Sequence, residues 1–145
     1  MRRKLLEQIK TVEALAPQAL KPGAITPVGT VVDRKGYLSL RAMLQVGITT
    51  SASTASQDIE GVLYTSNDSA TATSFATFNT ANFSVLVTAA DTAGASFTSS
   101  DALDLSGAYR FVQLRLTGTN TTTGAVSASI AASFVLGDAQ IEPAT

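Results

Sequence analysis

The chain has 145 residues, with 10 Lys and Arg against 11 Asp and Glu, a formal net charge of −1 and no Cys, His or Trp. That length suits one domain. Without Cys there is no disulfide scaffold and no thiolate ligand or nucleophile, and without His the usual neutral-pH general base and the commonest metal ligand are missing.

Ala, Thr and Ser dominate the composition, and charged residues reach only 14%, well under the ordinary quarter. Such a chain presents neutral small side chains where most proteins present Lys and Glu. Two readings follow: a surface partly covered by other subunits, or a Thr-rich solvent face. Charge is also uneven. Residues 1–41 hold every basic residue except Arg110 and Arg115, while most acids lie further on. This predicts a basic arm on a mildly acidic body.

In chain order, residues 3–16 read as an amphipathic helix. Leu5, Ile9, Val12 and Ala16 recur at helical spacing, Lys4, Glu7, Lys10 and Glu13 cover the other side, and Pro17 ends the segment. A helix this short is marginal alone, so its apolar stripe needs a docking surface. The same basic start does not make an export signal, because Glu7, Lys10 and Glu13 interrupt the apolar stretch. No run is long enough for a membrane helix. Residues 17–29 hold three of the 4 prolines and read as an extended linker.

From Thr30 the period becomes two. Val31–Val32 lead into a turn at Asp33–Gly36, then Leu38, Leu40, Ala42, Leu44 and Val46 alternate with polar neighbours. Residues 47–58 read as a polar loop or weak edge strand, and Ile59–Thr65 as a short strand. Phe75–Phe78 and Phe83–Thr88 read as two strands joined through "NTAN". Residues 89–101 read as a loop, with Leu103 and Leu105 plugging the core beneath it. The segments 109–117 and 126–136 read as a hairpin. In the first, Val112, Leu114 and Leu116 face inward with Phe111, Gln113 and Arg115 outward. In the second, Ile130, Ala132, Phe134 and Leu136 alternate with Ser129, Ala131, Ser133 and Val135, and Gly137 ends the strand. Seven or eight close-spaced strands predict an all-β fold, an antiparallel β-sandwich of jelly-roll type or a small barrel, with a short N-terminal α-helical arm. The expected layout is arm 1–16, linker 17–29, body 30–137 and tail 138–145.

Few chemical motifs survive inspection. "AADTAGA" around Asp91 has Ala93 where an aspartic protease needs Gly, and no second copy occurs. Asp58 and Glu60 would share a strand face, but a sugar cleft without Trp is a poor one; two charges guarding an edge strand fit better. Asp101, Asp104 and Ser106 supply too few oxygens for calcium. No catalytic residue, cofactor or metal is expected. Arg2, Arg3 and Lys4 form the main basic cluster, with no aromatic before Tyr37, so nucleic acid is not the expected partner.

Three stretches resemble a known family: "LLEQIKTVEALAP", "VVDRKGYLSLRAMLQVG" and "GAYRFVQLRLTGTNTTTGAVSASIAASFVLGDAQIEPA". They are similar to the small head proteins of tailed bacteriophages and prophages, which decorate or cement the capsid or stand on it as head fibres. The middle of the chain departs from that pattern, with "SNDSATATSF" in place of a sharper turn. The resemblance implies a non-enzymatic virion structural protein, assembled in the bacterial host cytoplasm and placed on the capsid surface. Its partner would be the major capsid protein. A homo-oligomer is expected, with a trimer as the first expectation. The candidate partner-binding residues are Arg2, Arg3, Lys4, Leu5, Ile9 and Val12 of the arm, together with Arg34 and Lys35 of the turn. The alternative is a host-receptor or carbohydrate-binding module using loops 47–58 and 91–101.

Overall fold

The computed structural model describes residues 9–20, 28–68, 74–87, 96–120 and 127–139, except that residues 51–56 lie outside this set. Eight strands occur in these segments: β1 (Lys10–Leu20), β2 (Val32–Asp33), β3 (Tyr37–Thr50), β4 (Gln57–Ser66), β5 (Ala76–Val87), β6 (Ser96–Asp104), β7 (Phe111–Asn120) and β8 (Ser127–Ala139). They form two four-stranded sheets, ordered β1-β8-β3-β6 and β2-β7-β4-β5.

Every pairing is antiparallel. β1 pairs β8, β2 pairs β7, β3 pairs β6 and β4 pairs β5. This nested set is a long four-strand-pair ribbon folded over on itself. The folding brings β3 beside β8 and β4 beside β7. The result is the eight-stranded jelly roll, the sandwich expected from the sequence.

The core lies between the sheets. Leu40, Leu44, Ile130, Phe134 and Leu136 enter from one sheet, and Ile59, Leu63, Leu114 and Leu116 from the other. Leu105 plugs the end of the layer and Leu103 supports it, as their place beyond a polar stretch suggested.

The structure corrects the helical arm. Residues 10–16 belong to an edge strand, and 17–20, expected in the linker, continue it. The register jumps between Glu13 and Leu15 and again between Leu15 and Gln18. A bulge adds a residue and breaks strict alternation, so Ala14 and Leu15 are both buried. Apolar spacings of three and four thus arise from a bulged strand as well as from a helix. Pro17 sits at the second irregularity of an edge strand, where its missing N–H costs no ladder bond. Residues 1–8 of the expected helix lie outside the described residues.

Three further expectations change. The loop 89–101 contains the first part of β6, whose alternation was hidden because Ser99 and Asp101 share the inward-leaning side with Phe97 and Leu103. The "NTAN" break lies inside one continuous β5, where the partner register jumps from Ser84 to Ala81 opposite Glu60 and Gly61. Most consequentially, β7 and β8 are not a hairpin. β7 pairs β2 and β4, while β8 pairs β1 and β3. Both strands bury one apolar side, and that pattern is equally served by facing each other across the core. Gly137 does not end β8, which runs to Ala139.

Candidate functional site

The turn after β2 is tightly built. Lys35 N–H donates to Asp33 Oδ1 at 2.9 Å, Tyr37 N–H donates to Arg34 O at 2.9 Å, and Gly36 takes φ 85°, the left-handed conformation that Gly adopts without a steric cost. Arg34 turns inward from there. Its Nε donates to Tyr109 O at 2.8 Å, one terminal nitrogen donates to Tyr37 O at 2.9 Å, and the other donates to Ala108 O. Arg34 therefore clamps the β2–β3 turn to the segment before β7, with one donor from each guanidinium nitrogen on a backbone carbonyl. Its expected partner-binding role would have to coexist with this structural one.

Beside it, Arg110 and Asp33 form a fork-shaped ion pair, with Arg110 Nη2 to Asp33 Oδ2 at 2.6 Å and Nε to both carboxylate oxygens at 3.1 Å. The Arg110 hydrogen bond holds the Asp33 carboxyl below the usual carboxylate range. Burial opposes this, while the Lys35 amide and the charges of Arg110 and Lys10 reinforce it. The same bond raises Arg110. Lys10 and this turn therefore lie at one end of the sandwich.

The remaining predicted site residues divide. Ile9 is exposed at that end, and Lys35 is exposed in the turn. Val12 packs against the core and is half-buried. Arg2, Arg3, Lys4 and Leu5 lie outside the described residues. The other candidates do not converge. Asp101 and Asp104 are three apart on β6 and so point to opposite sides, and Asp104 Oδ1 accepts the Ser106 amide at 2.8 Å. β4 is flanked by β5 and β7, so Glu60 guards no edge. The "AADTAGA" stretch is outside the described residues up to Ala95. Of the loops offered for receptor binding, 47–50 and 57–58 lie in β3 and β4, and 96–101 in β6. Among the described residues no group of three His, Cys, Asp or Glu is arranged to hold a metal ion, and no helix is long and apolar enough to cross a membrane.

The two outer sheet faces differ. At the β2 edge of the β2-β7-β4-β5 sheet, residues 28–30 run beside β7 and reach across to β1, where Thr30 N–H donates to Ala14 O at 2.9 Å. Val28 forms a bridge to Arg115, and Gly29 N–H donates to Leu114 O at 2.7 Å. They bury Gln113, expected to face out, whose Nε2 donates to Gly29 O at 2.9 Å. Gln113 Oε1 accepts from Arg115 Nε at 3.1 Å, and the Arg115 guanidinium lies 4.1 Å from the centre of the Tyr64 ring.

The β1-β8-β3-β6 sheet carries small neutral side chains outward. Its cross-strand rows read Ser129–Gly47–Ser96, Ala131–Gln45–Thr98, Ser133–Met43–Ser100 and Val135–Arg41–Ala102. Three shallow depressions of about 700, 480 and 300 Å³ open on it. The first lies at the Ile9 end, the second between Gln45, Thr98 and Ala131, and the third beside Glu13 and Ser133. Short side chains let another surface approach the backbone closely, and few rotamers are lost when they are covered. The alternating Ser and Ala of β8, together with the Thr-, Ser- and Ala-rich composition, were the signal for this face in the sequence.

No known protein family matches the chain, and no curated protein is significantly similar to it. Solved structures do resemble it. The structure of infectious bursal disease virus Gx strain aligns with a TM-score of 0.55 at 14% identity, over 89% of this chain and 32% of that one. The VP2 subviral particle of infectious bursal disease virus aligns with a TM-score of 0.51 at 12% identity, over 91% of this chain and 32% of that one. The chain spans about a third of the length of each of these viral chains. The likeness is one of fold: this jelly roll is of the kind found in proteins of virus particles.

Proposed function

We propose that the protein is a non-enzymatic structural component of a bacteriophage particle, one that binds the outer surface of the capsid and cements or decorates it. The observation that carries this reading is the outer face of the β1-β8-β3-β6 sheet, which no described segment covers. Its four cross-strand rows carry mainly small neutral side chains, with Arg41 as the one charged member. A surface of this kind suits broad contact with another protein better than capture of a small polar ligand.

The resemblance to phage head proteins and the jelly-roll likeness to virus-particle chains support the same class of role. The basic N-terminal segment, with Arg2, Arg3, Lys4 and Leu5, supplies a second point of attachment. Two weak contacts on one chain raise avidity without a large single interface. Lys35 and Ile9 lie at the same end and extend that attachment. Association into a homo-oligomer, with a trimer the first candidate, would multiply it again.

The test is cosedimentation of the purified protein with empty shells of the phage or prophage capsid protein encoded beside it. Stoichiometric binding is expected. The single change Ser133→Glu, on the outer face, should weaken binding at least tenfold while leaving the melting curve unchanged. Removal of residues 1–8 should do the same. Absence of shell binding by the unaltered protein would overturn the proposal, as would unchanged binding by both variants.

A further inference from the structure

A sheet edge offers backbone donors and acceptors to any strand that can lie beside it. Four strands end the two sheets, and three of them are short or irregular. β1 contains Pro17 and two register irregularities, β5 contains two more, and β2 is only 2 residues long. β6 is the exception. It ends the β1-β8-β3-β6 sheet, holds register with β3 without a shift from Ser96 to Asp104, and contains no Pro, no Gly and no basic residue.

One hydrogen bond fixes which backbone groups face outward. Leu105 N–H donates to Leu38 O at 2.7 Å. In an antiparallel pair, bonded partners recur at every second residue, so Phe97, Ser99, Asp101 and Leu103 spend their backbone groups on β3. Ser96, Thr98, Ser100, Ala102 and Asp104 therefore aim theirs away from it, along about 30 Å of edge. The same five have exposed side chains, whereas Phe97, Ser99 and Asp101 are half-buried and Leu103 is buried. No described strand pairs with that side of β6.

The strand is self-complementary about Ser100. Set antiparallel against a second copy, with Ser100 opposite its counterpart, it brings Phe97 opposite Leu103 of that copy, Ser99 opposite Asp101, Thr98 opposite Ala102 and Ser96 opposite Asp104. Every edge-facing residue then meets an edge-facing residue, as exchanged hydrogen bonds require. On the core side an aromatic ring meets an aliphatic side chain, and each Asp101 carboxylate meets a hydroxyl able to donate to it. Sliding by two residues spoils the match: one direction sets Asp101 against Asp101, the other sets it against Phe97. An inward-leaning acid commonly guards an edge against pairing; here it penalises the neighbouring registers and leaves this one.

We propose that β6 is a self-association edge, where two copies of the chain pair antiparallel about a two-fold axis at Ser100 and join their sheets into one of eight strands. The contact is closed, since the edge of each copy is consumed by the other. A three-fold association would have to use a different surface. The outer face of the sheet stays open and runs on across the pair, so attachment to a shell through that face is compatible with the pairing. The inference concerns the isolated protein and does not depend on shell binding.

Sedimentation equilibrium of the full chain, from micromolar to millimolar concentration, should show a monomer–dimer equilibrium. Ser100→Pro removes an N–H that β3 does not use, so the melting curve at micromolar concentration should be unchanged. The change strikes both copies and deletes two bonds at the axis, so the dissociation constant of the dimer should rise about tenfold or more. Ser100→Lys and Ser100→Glu provide a second route without proline. Each should be monomeric alone, because like charges oppose each other at the axis, and an equimolar mixture should dimerise. A chain that stays monomeric throughout the series would overturn the proposal. So would a trimer, or a dimer that persists unchanged in Ser100→Pro and in both charged variants.

Discussion

Gly29 is the position where one added methyl group should do the most damage. It lies in the slot between the two sheets. A Cβ built there sits 2.2 Å from Ala14 O on β1 and 2.7 Å from Leu114 O on β7, both backbone atoms and both nearer than the 3.0 Å that real Cβ atoms essentially never breach. Relief from Ala14 O alone takes a shift of about 0.8 Å, from 2.2 to 3.0 Å, and no flexible side chain can give way. Three hydrogen bonds converge on this point: Gly29 N–H to Leu114 O, Thr30 N–H to Ala14 O, and Gln113 Nε2 to Gly29 O. At about 1 kcal/mol each their loss sums to about 3 kcal/mol, a large share of the 5–15 kcal/mol that holds a typical domain. Gly29→Ala should therefore lower the melting temperature by about 10 °C and shift the urea midpoint with little change in slope. Gly36→Ala is the comparison. It has open space around its Cβ and φ of 85°, so it should cost about 1–2 kcal/mol through backbone strain alone. A Gly29→Ala protein within 0.5 kcal/mol of the parent by urea titration would refute the slot argument.

Arg34→Met keeps the aliphatic stem but removes donors to Tyr109, Tyr37 and Ala108; a loss of about 2–3 kcal/mol is expected, with faster amide exchange at residues 34–37 and 108–110 as the diagnostic. Arg34→Lys should recover less than half of it, because an ammonium cannot reproduce the planar fork. Thr65 is buried and its hydroxyl finds no partner among the described residues, so Thr65→Val should stabilise by about 1 kcal/mol, read as a raised melting temperature. The Asp33 carboxyl titrates below its ordinary range when folded, so its stabilising contribution is present near neutral pH and is lost as pH falls through the folded-state value. Asp33→Asn should accordingly lower neutral-pH stability slightly, since the pair is exposed, and flatten the acid limb of a stability–pH curve by the same small amount; an unchanged acid limb would count against the ion pair.

Much was open to sequence reading where alternation was uninterrupted. Leu40 to Val46 and Ile130 to Leu136 bury every second side chain as their pattern requires, and seven or eight close-spaced strand segments with turns between them imply a sandwich. The turn at Asp33–Gly36 was equally legible, because Asp and Gly each meet a local demand. The Ser and Ala outer side of β8 also announced itself, and it became the candidate surface. Tertiary contacts decided the rest. β1 took its place as an edge strand because bulges at Ala14–Pro17 let neighbouring apolar residues reach one core, which linear spacing reads as a helix. β7 and β8 parted to opposite sheets because inward apolar faces do not say which neighbour supplies the backbone hydrogen bonds. Arg34 gained a structural role as a clamp that its charge alone did not announce, since only the fold brings the carbonyls of Ala108 and Tyr109 within its reach. Periodicity records which side of a strand avoids water; partners distant in the chain are set by the one winding that satisfies both sheets together.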